Sequence, residues 1–165
     1  MTALGPAVPP VLHRLAAARV SLRELEVIDA SAEGLSYFEV GDLLGLSEAT
    51  VKAHLTRLGH KARVGTRAGI VGWAYRNGLL VRVPLPVVPL TPSQRAVVPL
   101  VARGLEDGEI GRELDIAMNT AKHHVHCAAR LLNARTRAHM VRRGIDCGVL
   151  PLVPRLVGEE ARVAS

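Results

Sequence analysis

Hydrophobic residues recur along this chain at intervals of three and four positions, which is the period of an α-helix. The clearest example is the stretch LSEATVKAHLTRLGHKA at residues 46–62. On a helical wheel its apolar residues fall on one side and its cationic residues fall opposite; the apolar set is Val51, Leu55, Leu58 and Ala62. No segment shows the sustained two-residue alternation of a strand, so the pattern predicts an all-α fold.

The whole pattern occurs twice in the chain. Aligning residues 20–80 with 90–150, without gaps, gives 16 identities in 61 positions. The linking stretch VRVPLPVVP, residues 81–89, contains three prolines, which fix φ and remove hydrogen-bond donors. The sequence therefore predicts a tandem duplication of two domains, 20–80 and 90–150, joined by an extended linker and flanked by short tails at 1–19 and 151–165.

Capping residues divide each copy into four helices, eight in all. Capping boxes are predicted at Ser21/Glu24, Ser36/Glu39 and Thr91/Gln94, where the hydroxyl and the third residue exchange hydrogen bonds. Glycines such as Gly34 and Gly104 are good helix stops. Two residues oppose the pattern: Gly59 predicts an early end to the third helix, and Pro99 predicts a kink or restart in the fifth.

Charge is distributed unevenly between the helices. The chain carries a net charge of +6, and 48% of its residues are hydrophobic but only 2% are aromatic, so any core is built from Leu, Val and Ala. Residues 20–49 sum to −6 and residues 50–80 to +6; the second copy divides into −2 and +5. Positive third and fourth helices suit contact with phosphates, and the alternative is pairing between acidic and basic helices within the chain.

The cationic face of each third helix points away from its apolar side. The outward positions on the wheel are Lys52, Ala53, Thr56, Arg57 and His60 in the first copy and Lys122, His123, His126 and Arg130 in the second. His54 and its counterpart His124 lie on the shoulder of the helix, where a structural role is expected. An outward cationic helix face is typical of nucleic-acid recognition.

The run SEATVK-x-H followed by TRA resembles the LuxR-type (GerE-like) helix-turn-helix domain of bacterial transcription regulators. The resemblance covers 20–80 and, more weakly, 90–150. It implies a DNA-binding transcription regulator whose third helix enters the major groove of double-stranded DNA. It places DNA-facing residues at Lys52, Ala53, Thr56, Lys122, His123 and His126, and phosphate contacts at Thr50 and Thr120. The second copy lacks the SEATV start and carries AMNTA, so it is the degenerate one.

The resemblance also implies that the fourth helix of each copy forms a dimer contact. Apolar candidates for that contact are Val71, Ala74, Tyr75, Met140, Val141 and Ile145. Three arrangements stay open: an intrachain pseudo-dimer, a homodimer of two chains, and two independent domains. Arg142 and Arg143, which stand where the first copy has Gly72 and Trp73, are expected to disfavour close contact. A pseudo-dimer predicts an asymmetric DNA site, because the two outward faces differ.

The remaining features exclude other classes of protein. Gly-rich phosphate loops, HExxH and paired carboxylates in apolar surroundings are absent from the sequence, so neither an enzyme nor a cofactor is expected. His123, His126 and Cys127 have the spacing of zinc ligands, but no fourth ligand is evident and the same face is needed for DNA. Free thiols at Cys127 and Cys147, without a transmembrane run or signal peptide, favour the cytoplasm.

With only 19 residues before the first copy, neither a receiver nor a ligand-sensing domain is expected. The alternative function is a protein-interaction module that pairs with other regulators through its helix-turn-helix domains.

Overall fold

A computed structural model describes residues 10–151, with side chains from residue 14, and the secondary structure of this part is α-helical, without strands. The helices are α1 (Pro10–Ala18), α2 (Leu22–Ala32), α3 (Tyr37–Leu44), α4 (Glu48–Ala62), α5 (Arg67–Arg76), α6 (Pro92–Ala102), α7 (Asp107–Glu113), α8 (Met118–Leu131) and α9 (Arg137–Asp146). Within the described range, no helix is both long and apolar enough to span a membrane. The predicted tail at 151–165 lies outside the described residues except for its first residue.

Eight of these helices are the ones predicted from the sequence, α2–α5 in the first repeat and α6–α9 in the second. The three predicted capping boxes are formed, and Ser47 and Thr66 cap α4 and α5 by accepting from the backbone N–H three residues on. Gly34 and Gly104 end the first helix of each repeat at φ of 82° and 91°, a left-handed conformation that glycine adopts without a steric penalty.

The expected early end of the third helix at Gly59 is wrong. Helix α4 continues to Ala62 because Leu58 is completely buried, and that burial outweighs a helical glycine's cost of about 1 kcal/mol. A Cβ at position 59 would lie 2.9 Å from the carbonyl oxygen of Val64, so an alanine there would require the turn after α4 to shift. Likewise, Pro99 does not divide α6, whose buried residues Val98 and Leu100 hold the helix on the core.

Helix α1 was not predicted and lies in the second half of the expected N-terminal tail. It buries Leu15, and Val20 follows it into the core. Both residues have apolar counterparts 70 positions later: Leu85, in the linker, packs against the core, and Leu90, just after the linker, is buried in it. The linker itself is fixed by Asp146 at the end of α9, which accepts hydrogen bonds from the backbone N–H groups of Val83 and Leu85 at 2.9 Å each.

The repeated tripeptide Thr-Arg-Ala has a structural role in both repeats. Its threonine caps the fourth helix and its alanine is buried there. Its arginine, Arg67 or Arg137, donates to the carbonyl oxygen of Leu35 or Leu105, at the turn between the first two helices of its own repeat. The tripeptide therefore fixes the fourth helix against the rest of each domain.

The two repeats pack against each other through their fourth helices, α5 and α9. The six apolar residues proposed for this contact are all buried. Helix α5 also contacts α6, where Gly72 lies so close to Ala102 that an added Cβ would be 2.2 Å from its carbonyl oxygen. On the opposite side α9 contacts α2. The hydrophobic core is consequently continuous across both repeats.

The expectation that Arg142 disfavours close contact is wrong. Its guanidinium joins the repeats, because it forms ion pairs with Asp29 at 3.0 Å and Glu33 at 2.9 Å, both on or next to α2. Arg143 turns to its own repeat and donates to the carbonyl oxygen of Leu132. Both arginines have nearby acceptors that their positions on α9 alone do not reveal.

A second inter-repeat ion pair gives a testable titration. The carboxylate of Glu39 accepts from the backbone N–H of Ser36 and from Arg135 of the second repeat, which lowers its pKa from 4.5 to about 2. Because the folded-state pKa is the lower one, the stabilisation is complete above about pH 4.5 and is lost as the pH falls towards 2.

NMR titration of the Glu39 carboxyl carbon measures this pKa. We expect Arg135→Gln to raise it while leaving it below 4.5, since the Ser36 hydrogen bond remains. The same pKa in both proteins would contradict the inter-repeat contact.

Candidate nucleic-acid interface

Helix α4 presents one side to the core and the opposite side to solvent. Val51, Leu55 and Leu58 are buried, and Ala62 is half-buried. The side chains of the predicted DNA-contacting set are exposed, except that of Thr50, which is half-buried; the exposed set is Lys52, Ala53, Thr56, Arg57 and His60. Amphipathic packing of α4 on α2, α3 and α5 thus leaves a cationic face uncovered.

Local hydrogen bonds orient several of these side chains. The hydroxyls of Ser47 and Thr50 lie 2.8 Å apart at the start of the helix, and the Thr56 hydroxyl donates to the Lys52 carbonyl oxygen. Arg57 approaches Nδ1 of His54 at 2.9 Å. Burial lowers the pKa of His54, which favours the neutral ring and lets this nitrogen accept from Arg57. His54 therefore positions Arg57, in keeping with the structural role expected for it.

Helix α8 exposes the corresponding face in the second repeat. Its exposed candidates are Thr120, Lys122, His123, His126 and Arg130, and Ala121, Val125 and Ala128 form its buried side. Ala117 precedes it without a side-chain cap, as the AMNTA sequence predicted. Thr120 consequently lacks the serine partner that Thr50 has.

The proposed zinc ligands do not assemble on α8. Nε2 of His123 lies 3.5 Å from the sulfur of Cys127, but no group of three His, Cys, Asp or Glu side chains suited to a metal occurs within the described range. Cys127 is half-buried and Cys147 is buried, and both are free thiols.

A groove runs along the cationic side of the third helix of each repeat, α4 or α8. In the first repeat it measures about 640 Å³, and its polar wall is formed by Lys52, Thr56, His60, Arg63 and Arg67. In the second it measures about 330 Å³, and its polar wall is formed by Lys122, His126, Arg130, Arg135 and Arg137 together with Asp107, which pairs with Arg137 at 2.6 Å. The duplication has therefore kept a positively charged groove beside each third helix.

Sequence reasoning missed several residues of these grooves. The Tyr37 ring contacts both Lys52 and Arg67, with the ammonium nitrogen 5.3 Å and the guanidinium carbon 5.2 Å from its centroid. Arg63 is exposed at the end of α4 in a left-handed conformation, at φ of 54°. The excess of positive charge in residues 50–80 was the available signal, but it did not indicate which arginines turn towards the groove.

Acidic and basic helices do pair within the chain, as the alternative interpretation of the charge pattern proposed. Lys61 contacts Glu24 at 2.7 Å, and the inter-repeat pairs use Arg135 and Arg142. On the exposed cationic faces of α4 and α8 only Lys52 has a carboxylate partner, Glu48 at a long 3.4 Å; Arg57, Lys122 and Arg130 have none among the described residues. Intramolecular pairing therefore leaves most cations of these two faces available.

Comparison with known proteins matches both repeats to one family. The profile of the family described as "Bacterial regulatory proteins, luxR family" matches the chain twice, at residues 18–74 and 88–143. The chain is 39% identical over 70 residues to the transcriptional activator protein BjaR1 of Bradyrhizobium diazoefficiens, an alignment covering 42% of this chain and 29% of that protein.

It is also 40% identical over 58 residues to the uncharacterized transcriptional regulatory protein YxjL of Bacillus subtilis, covering 35% of this chain and 27% of that protein. The alignments thus span less than a third of either relative. No solved structure matches the chain.

Proposed function

The chain belongs to the luxR family of bacterial regulatory proteins, and from that premise we propose that it is a transcription regulator that binds double-stranded DNA. Helices α4 and α8 are the proposed reading helices, each entering the major groove with its exposed cationic face. The remaining candidates on those faces, Thr50 and Thr120 at the helix starts, are proposed to contact phosphates. The regulator acts in the cytoplasm under this proposal, without a catalytic step.

The observation that carries the proposal is the recurrence of one cationic face and one cationic groove in both repeats. DNA affinity is largely electrostatic, because bound cations release counterions from the phosphates. Lys52 and Lys122 are exposed at equivalent positions, and each lies beside its groove. A purely structural helix surface has no need of such a repeated single-sign face.

The alternative, a module that pairs with other regulators through its fourth helices, has less support. The apolar surfaces of α5 and α9 are already buried where the repeats pack together. A partner would have to displace that packing, whereas DNA would meet surfaces that are exposed.

The two reading faces differ at three matched positions: Ala53 against His123, Thr56 against His126, and Arg57 against Cys127. With both faces on one packed chain, we propose an asymmetric DNA site. Binding-site selection with the full chain, with light scattering to count the chains bound, tests this. A palindromic consensus bound by two chains would instead support a homodimer.

Replacing Lys52 by alanine is expected to weaken binding to random duplex DNA by about tenfold and to lower the salt slope by about one unit. The physical reason is the loss of one cation facing the phosphates. The matched control is Arg14→Ala, which removes the same charge from α1, where Arg14 donates to the carbonyl oxygen of Gly78 at the end of α5.

Fluorescence anisotropy at two salt concentrations measures both quantities. Equal affinities for the Lys52→Ala and Arg14→Ala proteins would show that α4 does not face DNA as proposed.

A further inference from the structure

The interface between the repeats follows an approximate two-fold relation in which position n of one repeat matches position n + 70 of the other. Gly69 approaches Gly104 so closely that a Cβ added at Gly69 would lie 3.0 Å from the Gly104 Cα. The matched contact, between His139 and Gly34, lies on the other side of the interface. Helix α5 packs on α6, and in the same way α9 packs on α2. A contact on one side of the interface can therefore be compared directly with its counterpart on the other.

The two sides are chemically different at the matched positions 72 and 142. On one side Gly72 allows the backbone of α5 to lie directly against Ala102. On the other side Arg142, whose side chain is only 15% exposed, reaches Asp29 and Glu33 of the first repeat. Asp146 of its own helix lies 3.7 Å from its Nε and adds a third carboxylate.

We propose that this interface selects unlike repeats, so that a first repeat pairs with a second repeat and not with another copy of itself. The proposal concerns recognition between the repeats and does not depend on DNA binding. In this pairing Arg142 of α9 is matched by the acidic end of α2, and Gly72 of α5 is matched by the end of α6.

Pairing of two second repeats would lose this match. The positions that correspond to Asp29 and Glu33 are Pro99 and Arg103. Arg142 would then face no carboxylate from the partner and would meet a like charge at close range, which is unfavourable.

Pairing of two first repeats would be incomplete in a different way. Position 72 would face Asp29 and Glu33 of the other copy, and glycine there cannot reproduce the ion pairs that Arg142 makes. Arg76, one turn further on α5, already donates across the interface to the carbonyl oxygen of Ala102. Neither like pair reproduces the ion pairs of the observed interface. Selection between partners therefore rests on a repulsive element in one like pair and a missing attraction in the other.

Charge reversal in the full chain tests the proposal. We expect the wild-type chain to be a single chain per particle by light scattering, with one cooperative transition in calorimetry. Arg142→Glu should lower the unfolding midpoint by several degrees or divide the transition in two, and should permit association between chains. Arg112→Glu, which makes the same charge change at an exposed position on α7, is the control and should resemble wild type.

The decisive protein combines Arg142→Glu with Asp29→Arg and Glu33→Arg, which restores opposite charges across the interface. We expect this triple variant to be a single chain per particle and to regain most of the decrease in unfolding midpoint caused by Arg142→Glu. Arg142→Gln, with helix content measured by circular dichroism, separates loss of pairing from failure to fold, since it removes the charge but keeps most of the side chain.

Three results would overturn the proposal: a wild-type chain that forms dimers, an Arg142→Glu protein indistinguishable from Arg112→Glu, or a triple variant no more stable than Arg142→Glu.

Discussion

Replacing Gly72 by alanine is expected to destabilise the protein by roughly 2 to 3 kcal/mol, a large effect for one methyl group. The added Cβ would lie 2.2 Å from the carbonyl oxygen of Ala102, 3.0 Å from its carbonyl carbon and 3.2 Å from its Cα. These are backbone atoms of α6, so no side-chain rotation relieves the overlap, and α5 and α6 must move apart. The helix-propensity gain of about 1 kcal/mol from alanine only partly offsets that cost.

Urea denaturation measures the change in the free energy of unfolding. Gly108→Ala is the matched control, because it also places alanine in a helix but its Cβ would make only an ordinary contact, 3.8 Å from the sulfur of Met118. We expect this control to equal or exceed wild type in stability. If Gly72→Ala is as stable as Gly108→Ala, the close packing of α5 on α6 is absent in solution.

Replacing Lys122 by glutamate is expected to weaken binding to a complete DNA site by about a hundredfold. Two reading helices held on one chain raise each other's effective concentration, and such linkage contributes roughly 10² to 10⁴ in affinity. Lys122 is exposed on α8 without a carboxylate partner in the described part of the chain, so its reversal acts on the DNA surface and spares the fold. The DNA phosphates would repel the second repeat, and the affinity would fall to that of the first repeat alone.

The measurement compares two duplexes taken from binding-site selection, one with both half-sites and one with the half-site of the first repeat alone. Lys122→Glu should lose affinity for the first duplex and keep it for the second. Arg95→Glu makes the same charge change at an exposed position on α6 and should change the affinity for neither duplex strongly. Undiminished binding of Lys122→Glu to the complete site would mean that the second repeat takes no part in reading DNA.

The sequence by itself determined eight helices, α2–α9, and most of their ends. Capping boxes such as Ser21/Glu24 and left-handed glycines such as Gly34 depend on hydrogen bonds and backbone sterics within a few residues. The apolar period and the 70-residue repeat likewise lie within the printed sequence. These features also predicted which side of α4 and α8 is exposed, because a helix with one apolar face must bury that face.

Only the tertiary structure decided how the repeats meet. From its position on α9 alone, Arg142 was expected to disfavour contact between the repeats, but it pairs with Asp29, 113 residues earlier. The sequence also does not reveal the contact of Gly72 with Ala102, the packing of α1, or which arginines turn into each groove. A side chain's charge or size stabilises or destabilises according to the atoms opposite it, and those atoms belong to segments that only folding brings together.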